Sequence, residues 1–251
     1  NEGEYFSYSQ AEQGLTNLRS INLFSDINFF IKKENEQNIL VVSVTEKTSG
    51  LLRVGFRIDN ENHTQLSFDL RDENVIGSGT ELGLLLYGGT RNRGYILEHK
   101  SNRIFDTYLT YKIDAFYKFN DVIVYGDAPQ TSDNFFTRIE LGEYRQKFYG
   151  TSVSLGTQVA RFGNLIFKGT YQFDEIKNRT DSQTVNEKIK IVSLMVSSTI
   201  DTQDKYPYPE NGFYFYGYYE TAQTILGGDI GYTNIGLDYK NHVTLADVHT
   251  V

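Results

Sequence analysis

Apolar and polar side chains alternate along most of this 251-residue chain from about residue 51 onward. From Leu52 to Ile58 every second residue is apolar, and the residues between are charged or small. Successive strand side chains point to opposite faces of a sheet, so each such run has one apolar and one polar face. Because a tilted strand of about 9–11 residues crosses a bilayer, the repeated pattern predicts an antiparallel transmembrane β-barrel.

The alternating runs are regular enough to place individual strands. Short turns near 60–62, 89–92 and 161–163 alternate with long polar connections at 126–134 and 176–186, as is typical of outer-membrane barrels. We predict eleven strands, with another starting near residue 242; the eleven cover 51–59, 64–72, 79–88, 93–101, 105–119, 134–144, 149–159, 163–173, 186–200, 211–221 and 228–239.

Composition narrows the class of protein. Apolar runs reach only four or five residues, whereas a transmembrane helix needs about twenty. The 19 Tyr and 17 Phe suit the aromatic girdles of a membrane barrel. The net charge is −8 and no Lys/Arg cluster occurs, so we expect no nucleic-acid partner. The absence of cysteine excludes disulfides and thiolate metal sites.

The first 50 residues differ in kind from the rest. Apolar residues Ala11, Leu15 and Leu18 are spaced by four and three, which predicts a short amphipathic helix. Two strand-like runs follow, at 27–32 and 39–46, separated by a polar turn. A helix and a hairpin form a small α+β unit. We therefore divide the chain into residues 1–50 and 51–251.

Several segments around this boundary are similar to one family. Residues 38–47, 52–57 and 72–82 resemble the passage from the last POTRA domain into the first barrel strands of the Omp85 superfamily. Upstream, residues 14–27 resemble the second helix and the following strand of a POTRA domain. Downstream, the segment 201–212, with Asp-Thr-Gln-Asp followed by Pro-Glu-Asn-Gly, is similar to a strand entry of the same barrels.

The resemblance carries expectations about architecture and location. It implies a bacterial outer-membrane barrel in residues 51–251, preceded by a partial α+β POTRA domain in residues 1–50 that lies in the periplasm. This chain would supply about 11–12 of about 16 strands, with about four more after Val251. We therefore expect a piece of a longer protein that cannot close its barrel alone.

The resemblance also implies a function in protein translocation, membrane insertion or anchoring. The expected partners are outer-membrane lipid and an extended polypeptide client or passenger domain, which would add to a POTRA strand edge. The expected weak seam lies at strand 51–59, where Gly55 would weaken pairing. The candidate polypeptide-binding residues of the POTRA hairpin are Ile27, Phe29, Ile39, Val41 and Val44.

Two alternatives stay open. Residues 144–163 look most like the barrel half of patatin-like phospholipase proteins, which implies that this chain is the membrane anchor or translocator of a lipid hydrolase encoded upstream. An upstream Gly-x-Ser-x-Gly motif would decide for that hypothesis. The other alternative is a passive pore or a soluble β-sandwich, which detergent partitioning would distinguish.

No catalytic constellation is present in the sequence. A nucleophile elbow is missing, and the four histidines are too scattered to nominate as metal ligands. The segment Gly77–Gly79 fits a hairpin turn better than a phosphate loop. Asp201, Asp204 and Glu210 could bind calcium, but turn capping is favoured. We therefore predict no enzyme activity, no catalytic, cofactor-binding or metal residues, and no cofactor.

The alternation assigns side chains to the two faces of the barrel. The polar residues form a lumen ion-pair network or merely keep the lumen wet, and the sequence does not decide between these. The predicted lumen-facing residues are Arg53, Arg57, Asp69, Arg71, Lys112 and Asp114. The predicted lipid-facing residues are Leu66, Phe68, Leu70, Leu82, Leu84, Leu86, Leu109, Tyr111 and Ile113.

Overall fold

The N-terminal region contains one helix and one hairpin. Helix α1 (Tyr8–Ser20) is followed by the antiparallel strands β1 (Phe24–Glu34) and β2 (Gln37–Glu46). Leu15 and Ile27 are buried, and the rings of Tyr8 and Phe29 lie 5.7 Å apart, so α1 covers one face of the hairpin. The computed structural model describes residues 7–20, 23–34, 37–60, 63–104, 107–129, 137–159, 162–180, 187–245 and 249–250.

The main sheet has ten strands, each antiparallel to the next along the chain. Within the described residues the first strand pairs only with the second and the last only with the ninth, so the sheet is open, with two edges. A two-residue pair, β13 (Thr244–Leu245) and β14 (His249–Thr250), follows. The ten strands are β3 (Gly50–Asp59), β4 (His63–Asp72), β5 (Thr80–Gly89), β6 (Asn92–Ser101), β7 (Leu109–Asp127), β8 (Arg138–Val159), β9 (Gly163–Asn178), β10 (Glu187–Asp201), β11 (Gly212–Ala222) and β12 (Tyr232–His242).

The predicted boundaries of several strands need correction. Strand β7 ends at Asp127 instead of at residue 119, and β9 ends at Asn178 instead of at residue 173. Where the sequence predicts separate strands at 134–144 and 149–159, the structure has the single 22-residue strand β8. Its backbone pairs with β7 straight through the charged stretch 145–147, because a strand ladder does not require apolar side chains. The expected start of the first of these strands, at residues 134–136, and of strand 105–119, at 105–106, lies outside the described residues.

The two ends of the sheet differ in strand length. We call the end at which β3 begins the entry end and the opposite end the far end. At the far end, Asn92 of β6 pairs with Asn120 of β7, and β7 then continues to Asp127. Strands β8 and β9 extend with it, as Tyr144 pairs with Asn178. The central strands therefore project past their shorter neighbours at the far end.

The apolar side chains of the main sheet are not packed into an interior. Of the apolar residues that the structure describes, only Leu15, Ile27, Ala128 and Ala222 are buried. Side chains such as Val54 stay 62% exposed. A soluble β-sandwich would bury its apolar face between two sheets, so that alternative is wrong for the described part of the chain. No described helix has the length and apolar character that crossing a membrane requires.

Candidate functional site

Arg71 is the centre of an ion-pair network on the polar face of the main sheet. Its guanidinium donates from Nε to Asp69 Oδ1 at 3.2 Å and from Nη1 to Glu98 Oε1 at 2.7 Å, and Nη1 also contacts Glu81. The register β4–β5–β6 places these side chains side by side, since Arg71 is opposite Gly83, which is opposite Glu98. All four charged side chains are only 12–15% exposed.

The network continues to both sides of Arg71. Arg53 of β3 donates to Asp69 Oδ2 at 3.0 Å. On the other side, Lys112 of β7 lies 2.5 Å from Glu98 Oε2 and 3.3 Å from Asp114 Oδ1. Alternating cations and carboxylates therefore run across strands β3 to β7. Such a row satisfies half-buried charges without favouring a ligand of either sign.

Five of the six predicted lumen-facing residues belong to this network, and the structure adds partners that the sequence analysis missed. Arg57 stands apart and pairs with Asp59 at 3.0 Å, with 70% of its side chain exposed. The missed partners are Glu81, Glu98 and Lys100. Glu81 could have been predicted from the sequence, because it lies between Thr80 and Leu82, where the alternation of β5 begins. Glu98 and Lys100 could not, because the polar run 98–100 hides the alternation of β6.

A cavity of about 590 Å³ lies against the network on the polar face. Ser152, which is 2% exposed, donates to Asp114 Oδ2 at 3.0 Å there. The lining of this cavity includes four basic residues and three acidic ones, so the cavity resembles a water-filled interior more than a binding site for one ion. Among the described residues, no group of His, Asp or Glu side chains is arranged to hold a metal ion.

The predicted lipid-facing residues all lie on the opposite face of the sheet from the ion pairs. Their positions alternate with those of Asp69, Arg71 and Lys112 along strands β4, β5 and β7, and the register aligns them from strand to strand. Six of the nine are exposed, for example 47% at Leu66 and 49% at Leu109, and Leu84, Leu86 and Tyr111 are half-buried. We call this surface the apolar face.

A row of aromatic rings crosses the apolar face toward its far end. Tyr95, Tyr117, Tyr149 and Phe173 occupy neighbouring strands β6 to β9, and successive ring centroids are 6.2, 6.2 and 5.4 Å apart. Aromatic rings with polar tips concentrate where hydrocarbon meets water. The composition predicts aromatic girdles, and the strand register places these four residues in one row.

The five candidate polypeptide-binding residues do not form one surface. Ile27, Phe29 and Val44 share the face that α1 covers, because Ile27 pairs with Val44, and Ile27 is only 5% exposed. Ile39 and Val41 lie on the opposite face, with Ile39 42% exposed. In the described part of the chain, β1 and β2 pair only with each other, so the outer backbone edge of each strand is unpaired.

The β3–β4 ladder is regular at Gly55. This glycine pairs with Ser67, and the ladder runs without a register shift from Gly50 to Asp59. A Cβ atom at Gly55 would collide with the hydroxyl oxygen of Ser67. The expected weakening of the ladder at this glycine is therefore not visible as a break in pairing.

The acidic residues of the 201–212 turn act as backbone caps. Asp201 Oδ1 accepts from the Gln203 amide at 3.0 Å, and Asp204 Oδ1 accepts from the Glu210 amide at 2.9 Å. The bond from the Glu210 amide, with further backbone amides, holds the pKa of Asp204 below its ordinary value. Glu210 pairs with Lys205 at 2.5 Å, so the carboxylates do not converge on a cation site.

Comparisons with known proteins fit this geometry. Residues 74–251 match the family model described as the Omp85 superfamily domain. The fold is similar to BamA from Haemophilus ducreyi lacking POTRA domains 1–3, with a TM-score of 0.76, 16% identity, and coverage of 98% of this chain and 47% of that chain. It is also similar to CdiB from Escherichia coli, with a TM-score of 0.57, 14% identity and the same coverages. The chain spans about half the length of these solved chains.

Proposed function

The chain belongs to the Omp85 superfamily of outer-membrane β-barrels, and we propose that it is the part of such a barrel that inserts or translocates polypeptide clients. The observation that carries the membrane assignment is the separation of chemistry between the two faces. An exposed apolar face carries an aromatic row, and a half-buried ion-pair network lies on the other face.

In this proposal the apolar face meets lipid and the polar face lines a water-filled interior. A Lys or Arg on the lipid face costs about 2–4 kcal/mol at the bilayer midplane. On the polar face, Arg53 and Arg71 pair with Asp69, so the same charges are compensated beside water. The nine residues from Leu66 to Ile113 named above then contact hydrocarbon, and the six from Arg53 to Asp114 face the lumen.

Residues 1–50 are, in this proposal, a partial POTRA domain in the periplasm. The unpaired edges of β1 and β2 offer backbone donors and acceptors to an extended client, which would join as an added strand. Ile39 and Val41, on the face that α1 does not cover, are the side chains best placed to contact that client. Ile27 and Phe29 instead hold the hairpin to the helix.

Site-specific photocrosslinking tests the client proposal in the full-length protein. A benzophenone amino acid at Ile39, which is 42% exposed, should form adducts with polypeptides that are being exported. The adducts should disappear when protein synthesis is blocked, because the clients are transient.

The matched control carries the same benzophenone at Tyr206, an aromatic residue that is 95% exposed in the 202–211 turn at the entry end. Equal adduct yields at the two positions would indicate random collision. Folded, membrane-embedded protein that gives no adducts from Ile39 would exclude the hairpin as a client-binding edge.

A further inference from the structure

The apolar face carries a concentration of positive charge just beyond its aromatic row. We define levels by the residue pairs of β7 and β8, counted outward from the row. Tyr117 and Tyr149 lie in the row, Phe119 and Lys147 form the first level beyond it, and Asp121 and Arg145 form the second. Within these two levels, five basic side chains of the described strands surround two carboxylates on this face, Asp121 and Glu175. We call the five the basic belt: Arg93, Arg145, Lys147, Lys177 and Lys188.

Each of the two carboxylates is shared by two cations: Glu175 by two members of the basic belt, and Asp121 by one member and by Arg179, which lies one level farther out. Asp121 accepts from Arg145 at 2.6 and 2.8 Å and from Arg179 at 2.6 Å. Glu175 lies 3.5 Å from Lys147 and 2.8 Å from Lys177. Farther out, Glu143 lies 3.5 Å from both Arg91 and Arg179, so this carboxylate does not reduce the positive excess. The belt therefore keeps a clear positive excess in a chain whose net charge is −8.

Aromatic rings hold two of these cations at the edge of the apolar face. Lys188 Nζ lies 4.1 Å from the centroid of the Phe173 ring, and the Arg145 guanidinium lies 4.0 Å from that of Phe119. Cation–π contacts of this kind orient a charge without neutralising it. Lys188 is therefore positioned and still able to bind an anion, whereas the Arg145 guanidinium is also paired with Asp121.

The height of the belt matches a layer of lipid headgroups. Two residues of a strand tilted by about 40° rise about 5 Å, so the belt lies within about 10 Å of the aromatic row. The headgroup layer of a bilayer begins at the same interface and is about 5–8 Å deep on each side. A solvated strand extension would need no excess of one sign at this height.

We propose that the basic belt binds phosphate-bearing headgroups of anionic lipid in the leaflet at the far end of the barrel. The inference rests on the proposed membrane orientation of the apolar face, and it is independent of the client hairpin. Lysine and arginine donors complement phosphate oxygens, and the rings of the row contact the adjoining acyl region.

Lipid binding to the purified full-length protein in zwitterionic detergent tests the proposal. Native mass spectrometry would count bound dioleoylphosphatidylglycerol and dioleoylphosphatidylcholine. We expect the wild type to prefer the anionic lipid, and Arg93→Gln/Lys177→Gln/Lys188→Gln to lose roughly 10- to 100-fold in that preference, at about one order of magnitude or less per cation.

The matched control, Lys32→Gln/Lys205→Gln/Lys240→Gln, removes the same charge from exposed lysines that also have acidic neighbours. It should keep the preference. An equal loss of preference in the control would mean that the preference depends on net charge alone. Displacement of the lipid by millimolar inorganic phosphate would identify a free-anion site instead. Either result overturns the proposal.

Two further measurements keep the test decisive. Detergent partitioning and heat-modifiable gel migration report folding of each variant separately from lipid binding. If the triple variant does not fold, Lys177→Gln against Lys205→Gln is the substitute pair, with an expected loss of about 5-fold for the former only. A preference for anionic lipid without client adducts at Ile39 would contradict the client proposal alone.

Discussion

Arg71 is the residue on which the charge balance of the polar face depends. It contacts Asp69, Glu81 and Glu98, and each of these carboxylates is at most 14% exposed. Half-buried carboxylates that lose a shared cation repel one another and keep their desolvation cost. The network is thus a constraint on strands β4, β5 and β6 as well as a polar lining.

We predict that Arg71→Ala lowers the free energy of unfolding by about 2–4 kcal/mol, because it leaves three carboxylates close together. Arg57→Ala is the control, since Arg57 is 70% exposed and its pair with Asp59 is worth about 1 kcal/mol or less. Guanidinium titrations followed by circular dichroism measure both. Similar losses in the two variants would mean that the network contributes no more than a surface ion pair.

Part of this network could be predicted from single residues and part could not. Alternation places Arg53, Asp69 and Arg71 on the polar face, because the period of two needs no knowledge of neighbouring strands. Which charges meet depends on register between strands. Glu98 reaches Arg71 only because β5 sets Gly83 between them, and a side chain there would fill the space that the guanidinium occupies.

At the scale of elements, β8 shows the limit of periodicity. Apolar alternation ends near Tyr149 because β8 continues past the aromatic row into the charged levels of the basic belt, while backbone pairing with β7 and β9 goes on. The resemblance of residues 144–163 to patatin-like phospholipases falls largely on this one strand. The family match extends to the superfamily and gives the patatin-like alternative no support.

Close approach of β8 to β9 leads to a prediction at this scale. A Cβ atom on Gly150 would collide with the carbonyl oxygen of Tyr171 and lie 2.8 Å from Gln172 Cα. Gly150→Ala should therefore cost about 1–3 kcal/mol by forcing the two backbones apart.

Gly169→Ala in β9 is the matched control, because its Cβ atom would meet only Leu194 Cδ2 at 3.7 Å. That change should be neutral within about 0.5 kcal/mol or slightly stabilising, since alanine restricts the unfolded chain. The midpoints of denaturant unfolding compare the two. The close approach is unimportant if Gly150→Ala unfolds at the same midpoint as Gly169→Ala.

For the whole molecule, the prediction from sequence was right in class and less accurate in detail. An all-β antiparallel sheet and membership of the Omp85 superfamily are confirmed. The described main sheet has ten strands instead of the eleven or twelve expected, because β8 replaces two. The count of about 16 that the resemblance implies stays a prediction, as does the POTRA assignment of residues 1–50.

The assignment of the two faces can be tested at adjacent residues of one strand. Leu84 and Leu85 of β5 lie at the same depth but on opposite faces, Leu84 between Leu70 and Leu97, and Leu85 between Asp69 and Ile96. Residues 1–251 contain no cysteine, so Leu84→Cys and Leu85→Cys each introduce a single thiol into this part of the protein for labelling with a bimane fluorophore in vesicles. If the apolar face meets lipid, brominated acyl chains quench the label at residue 84 severalfold more than at 85. Aqueous iodide should show the reverse preference, because Leu85 faces the wet interior. Stronger quenching by brominated lipid at residue 85 than at residue 84 would mean that the two faces are assigned the wrong way round, and it would remove the basis of the membrane proposal.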